Sequence, residues 1–124
     1  MSDPKPIRVI IIDPETRSVS EGVLEGDRLD AMQAIVGGMI ACAGTVADTE
    51  SEDLWVNDEA LLGSPEAFFF MRGFDPMAGR AFIARTDGEG ESMSSELTIE
   101  FVRDRVVFMN SFQLRVHLAL RSKR

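Results

Sequence analysis

The sequence predicts an α+β fold, a single domain built on a mainly antiparallel sheet with one or two packed helices. Three features support this. The β-branched run Ile7–Ile12 breaks at Asp13-Pro14, Leu29, Met32, Ile35 and Val36 recur at helical spacing, and the other apolar segments are short and bounded by turn signals. No repeat, low-complexity tract or long linker divides the 124 residues. One domain is therefore expected over 1–124, with 1–6 and 121–124 as flexible ends.

Ile7–Ile12 reads as a strand. Asp13-Pro14-Glu15-Thr16 has the Asp and Pro that a type I turn prefers, and Arg17–Leu24 returns as the second strand of a hairpin. Three successive isoleucines predict a central strand covered on both faces. Asp27 is placed to cap a helix over 28–36, which Gly37-Gly38 stops. Residues 39–46 and Leu54-Trp55-Val56 form a second hairpin across the acidic loop Asp48–Asp53. Asn57-Asp58-Glu59 caps one turn through Leu61 and Leu62, closed by Gly63.

Ser64-Pro65-Glu66 has the composition of a helix start, which predicts a short helix over Ala67–Met71 ending at Gly73. A loop over Phe74–Gly79, a strand over Arg80–Arg85 and a turn at Asp87–Gly90 follow. In the last third, Ser94-Ser95-Glu96 resembles a helix start, and Leu97, Phe101, Val102, Arg105, Phe108 and Met109 share a helical face, so a helix is expected from about 95 to 109. Phe112, Leu114, Val116, Leu118 and Leu120 alternate with Gln113, Arg115, His117 and Ala119 as in a half-buried strand, with a continuing helix as the rival.

Charge narrows the function. Residues 48–100 hold thirteen acids against Arg72, Arg80 and Arg85, a balance of −10, whereas 101–124 balance at +5; the whole chain carries −8. Such a surface repels nucleic acid and most membranes and attracts basic protein faces. No apolar run approaches the ~20 residues of a bilayer span, and the N-terminus lacks a signal-peptide pattern, so a cytoplasmic location is expected. Cys42 is the single cysteine, which excludes an intrachain disulfide or thiolate cluster, and its small apolar surroundings predict a buried, inert thiol.

Catalytic motifs are missing. Gly37-Gly38 and Gly88-x-Gly90 lack the context of a phosphate loop, His117 has no second histidine, and Ser18, Ser20 and Ser64 lack a nucleophile elbow. Neither a metal nor a cofactor is expected, and enzymatic activity is weakly supported; Asp58 and Glu59 are the acids a hydrolase would use. Trp55, Asn57, Arg72, Arg80 and Arg85 would supply stacking, hydrogen bonds and charge to a nucleotide or signal molecule. A helix cannot bury four consecutive large side chains on one side, so Phe68, Phe69 and Phe70 with Met71 point to a self or partner interface or a cap over another element, with simple core packing as the equal alternative.

Three segments, Ile7–Thr16 (IRVIIIDPET), Leu29–Ile40 (LDAMQAIVGGMI) and Leu54–Gly63 (LWVNDEALLG), together resemble a family of small phage, plasmid and bacterial proteins, domain of unknown function 3846. The resemblance covers roughly 7–100 and implies the order strand, D-P turn, helix ending in V-G-G, then a V-N-D-E turn. It carries no reaction. The Phe-rich segment and the basic C-terminal end depart from the pattern.

The expectation is a small acidic, non-catalytic binding protein of a phage or mobile element. Asp48, Glu50, Glu52, Asp53, Asp58 and Glu59, with the Phe68–Phe70 patch, would engage a basic host or self protein. In its sharpest form it is an anti-defence inhibitor that occupies a nucleic-acid-binding surface. The alternative is a protein that sequesters a small ligand. Self-association is also expected, and direct nucleic-acid or membrane binding is not.

Overall fold

Each isoleucine of the first strand is used. The structure, a computed structural model describing residues 5–122, places β1 (Ile7–Asp13) between β2 (Ser18–Leu24) and a later strand, β7 (Ala81–Thr86). Ile10 and Ile12 point to one buried layer, while Ile7 and Val9 point to the other with Ile11 against them. Pro14 ends β1, the Asp13 carboxylate accepts from the Glu15 N–H at 3.0 Å, and Arg17 turns the chain with a positive φ of 52°.

Helix α1 (Arg28–Val36) begins at Asp27, whose side chain accepts from the Asp30 N–H, and ends at Gly37 in the left-handed conformation. Met32 and Val36 are its buried residues. β3 (Ile40–Thr45) and β4 (Glu52–Asn57) form the second hairpin, with a bulge between Cys42 and Gly44. A 3-10 turn at Ala60–Gly63 follows. The larger sheet runs β2-β1-β7-β4-β3, with β8 (Ser92–Met93) added to β7, and every pairing is antiparallel.

The next segment corrects an expectation. Ala67–Met71 is strand β5, not a helix, and Ser64 closes the 3-10 turn with a φ of 54° instead of capping a new helix. β5 is the middle strand of a second sheet, ordered β6-β5-β9, with β6 (Met77–Ala78) and β9 (Val106–Asn110). Phe69 and Met71 face the larger sheet, and Phe68 and Phe70 face the opposite layer, so consecutive large side chains are all housed. A strand covered on both faces reads as an unbroken apolar run.

The last third differs more. The expected helix from 95 to 109 is reduced to α2 (Ile99–Arg103), capped by Thr98, whose hydroxyl accepts from the Phe101 N–H at 3.0 Å. Ser95 cannot serve as the cap because its hydroxyl is committed to Glu52 at 2.8 Å and accepts from the Leu97 N–H. Conversely, the strand expected over 112–120 is helix α3 (Ser111–Ser122). Asn110 and Gln113 cap it reciprocally: the side-chain Oδ1 of Asn110 accepts from the Gln113 backbone N–H at 2.8 Å, and the side-chain Oε1 of Gln113 accepts from the Asn110 backbone N–H at 2.9 Å. Arg121 and Ser122, expected in a loose tail, complete this helix, while residues 1–4 and 123–124 of the expected flexible ends lie outside the described residues.

The layers run α1, larger sheet, smaller sheet, α3. The main core lies between the sheets, where Ile10, Ile12, Leu54 and Ile83 meet Phe69, Met71 and Val102. Ile7, Val9, Leu24, Phe82 and Ala84 pack beneath α1, and α3 covers Phe68 and Met109 through Leu114. The fold is α+β with a mainly antiparallel sheet, as expected.

Candidate functional site

β1 and β4 both run antiparallel to β7, which lies between them, so their carboxyl ends reach the same edge of the larger sheet as the start of β7. Asp13, Asn57 and Arg80 therefore emerge together. α1 delivers its last residue, Val36, to the same end. These residues line a cleft of about 550 Å³ with Glu15 at its rim, and the 3-10 turn and Pro65-Ala67 form the far wall. A shallower groove of about 470 Å³ continues past Glu15 to Glu66. Asp58 lines a third, smaller recess on the other side of Ala60.

Two close contacts shape this end. The Asn57 amide donates to the Val36 carbonyl at 3.2 Å and accepts from the Glu59 N–H at 2.9 Å. Gly38 packs so closely on that amide that a Cβ would lie 3.0 Å from Asn57 Nδ2. The V-G-G and V-N-D-E segments are thus locked together, and the D-P-E-T turn forms the cleft's opposite lip. All three segments of the resemblance meet at one place.

The acids of 48–59 do not form one face. Asp48 sits at the other end of the β3–β4 hairpin, where Arg72 contacts it at 2.6 Å and Arg105 at 3.9 Å. Glu50 is exposed near it, while Asp58 and Glu59 are exposed beyond β4, separated from Asp48 by a strand of six residues, ~20 Å. Asp53 is half-buried and accepts from Thr45 at 2.9 Å and Thr86 at 2.6 Å. Glu52 is buried, 4% exposed, and its carboxylate accepts from the Ser95 hydroxyl and the Glu96 N–H. It holds the 94–97 segment against the sheet and presents no charge outward, which corrects its reading as a surface acid.

The expected ligand set is also dispersed. Trp55 lies on the α1 side of β4, stacked on Phe82 with 6.4 Å between ring centroids. Arg72 serves Asp48, and Arg85 pairs with Glu96 at 2.8 Å while donating to the Ser94 carbonyl. Only Asn57 and Arg80 of that set line the cleft, and Arg80 forms no ion pair among the described residues. Phe68 and Phe69 are buried and Phe70 is half-buried, its ring 4.7 Å from that of His117. His117 is half-buried on α3, not on a strand.

Cys42 reverses its expectation. It is exposed, because β3 is an edge strand and the bulge lies beside it. Partial burial still pushes its thiol pKa up; a backbone hydrogen bond with Gly44 opposes the rise and the Asp53 carboxylate adds to it. Among the described residues, no three His, Cys, Asp or Glu side chains are grouped to hold a metal, and no helix is long and apolar enough to cross a membrane.

Residues 7–106 match the model of the family described as Domain of unknown function (DUF3846). The chain belongs to this family. The DUF3846 match runs from the start of β1 to the first residue of β9, so it contains the whole cleft and leaves α3 outside. Comparison with curated proteins and with solved structures gives no match.

Asp13 and Glu15 are the cleft residues that sequence reasoning passed over as ordinary turn residues. The signal was present in the D-P-E-T segment, but its convergence with V-G-G and V-N-D-E depends on strand order.

Proposed function

We propose that this DUF3846 chain is a non-catalytic binding protein whose cleft end takes basic groups of a partner protein. The supporting observation is the convergence of the three family segments on a cleft where Asp13, Glu15 and the adjoining Glu66 outnumber the single cation Arg80. Such a rim attracts Lys and Arg side chains and speeds their approach, with an affinity that falls as salt rises. In the sharpest form, a phage or mobile element uses the protein in the cytoplasm against a host defence protein. The acids then occupy the Lys and Arg side chains that would contact phosphates.

An arginine-rich peptide titrated into the isotopically labelled protein at low and high salt tests this. Amide shifts at Asp13–Arg17, Asn57–Gly63 and Arg80, weakened by salt and by combined Asp13→Asn and Glu15→Gln, are expected. Salt-independent binding, or none, removes the proposal.

The cleft volume also lies within the ~300–1,000 Å³ of small-molecule sites, which favours a sequestered small ligand as the second reading. Arg80 would then supply the charge for an anionic ligand. A nucleotide panel in a thermal-shift assay separates the two, since only this reading expects stabilisation that Arg80→Ala abolishes.

A further inference from the structure

Asp13, Arg80 and Asn57 stand in one row across three strands. Ile12 lies opposite Ala81 in the pairing of β1 with β7, and the next step sets Asp13 opposite Arg80. Trp55 lies opposite Phe82 in the pairing of β4 with β7, and two steps on Asn57 faces the same Arg80. Strand alternation puts all three on the face that carries Val9, Phe82, Trp55 and α1. Cross-strand neighbours of opposite charge attract and commonly pair. Here they do not. The Asp13 carboxylate turns instead to the Glu15 N–H at 3.0 Å, and the exposed Arg80 forms no ion pair among the described residues. The cleft around this row is polarised. At one end Arg80 stands beside the junction where Asn57 is bound to Val36 at 3.2 Å and packed on by Gly38. At the other, the cleft continues past Glu15 into the groove that reaches Glu66. Val36, Ala60 and Ala67 give it small aliphatic walls.

We infer that the cleft holds the C-terminal tail of a partner protein. Its terminal carboxylate meets Arg80, and Lys or Arg side chains just before the end meet Glu15 and Glu66. This rests on the reading of the cleft as a site for basic groups, and adds to it that the bound segment is a chain end. An unpaired guanidinium offers a carboxylate two parallel hydrogen bonds. A doubly charged phosphate suits the place less well, because Asp13 adjoins Arg80 and the carbonyl end of α1 adds partial negative charge. A carboxylate in mid-chain also suits it less well, since the chain would have to run on through the Val36–Asn57 contact. The open run lies toward Glu66, where the acids await the residues that precede the end. The aliphatic walls favour an apolar side chain on the last residue. Capture of a free chain end by an arginine and a shaped pocket is an established mode of peptide recognition.

Isothermal titration of the full chain with acetyl-Gly-Arg-Arg-Leu, as the free acid and as the C-terminal amide, tests this. The free acid is expected to bind at least ~tenfold more tightly than the amide. Arg80→Gln should abolish that difference without weakening the amide, whereas combined Glu15→Gln and Glu66→Gln should weaken both peptides by a similar factor. Acid and amide that bind equally, or a difference that survives Arg80→Gln, overturn the inference and leave the basic-group reading standing. Displacement of the tail by free arginine at comparable concentration also overturns it, since the site would then take a free amino acid. If acetyl-Gly-Gly-Gly-Leu acid binds as tightly as the basic tail, the basic-group reading falls instead, and with it the roles of Glu15 and Glu66. Binding of neither peptide removes both.

Discussion

Asn57 Nδ2 and the Val36 carbonyl oxygen, 3.2 Å apart, tie the end of β4 to the end of α1. The other half of the amide accepts from the Glu59 N–H, so both ends of the Asn57 side chain are held by the backbone. Its part is to build the cleft wall from which Asp13, Glu15 and Arg80 act.

Asn57→Ala leaves a half-buried carbonyl and a turn N–H without partners. Loss of about 1–3 kcal/mol of unfolding free energy is expected in denaturant titration. Gly38→Ala should also destabilise, because its Cβ would press on the same amide. If both variants unfold with the wild type, the amide does not join these elements.

Glu52 is an acceptor facing two donors, the Ser95 hydroxyl and the Glu96 N–H. Glu52→Gln keeps the shape but turns an N–H₂ toward one of them, at a cost of about 1–3 kcal/mol. Ser95→Ala removes both the donor to Glu52 and the acceptor for the Leu97 N–H, and should cost a similar amount, about 1–3 kcal/mol. Equal stability of Glu52→Gln and wild type would mean that the carboxylate does not anchor the 94–97 segment.

Phe69 is fully buried and Phe112 is 66% exposed. Phe69→Ala should destabilise by about 3–5 kcal/mol, whereas Phe112→Ala in the monomer should change stability by no more than ~0.5 kcal/mol. Thermal unfolding of dilute protein distinguishes them. The reverse ranking would restore Phe68–Met71 to the surface and place α3 inside.

Cys42 should react with iodoacetamide, but with a pH midpoint above that of an unstructured thiol, because burial disfavours the thiolate. The sign for stability follows from the raised value. The folded state holds the proton more tightly, so the contribution is complete below the unfolded thiol pKa of ~8.5 and is lost as pH rises through the folded one. Cys42→Ser should flatten the alkaline decline. A midpoint at or below the ordinary thiol value would contradict the site.

Local signals were sufficient for the first half of the chain. Ile7–Ile12 before Asp13-Pro14, and Leu29, Met32 and Val36 between Asp27 and Gly37, each specify geometry through neighbours within a few residues. The Phe68–Met71 run misleads because Ser64-Pro65-Glu66 imitates a helix start, and only the two layers on either side make a strand of it. At the C-terminus, period-two alternation competes with the Asn110–Gln113 capping box, and the box prevails. That pattern was visible in the residues Asn110-Ser111-Phe112-Gln113.

By itself, then, the sequence determined the fold class, the first hairpin, the capped helix, the family membership and the uneven charge, because these depend on composition and short-range spacing. Tertiary structure alone decided which acids face water and which hold the chain together. It separated Asp48 from Asp58, buried Glu52, and brought Asp13, Glu15 and Arg80 to one cleft. The physical reason is strand order. Hydrogen bonding places β7 between β1 and β4, and no local pattern in any of the three records which neighbours it will pair with.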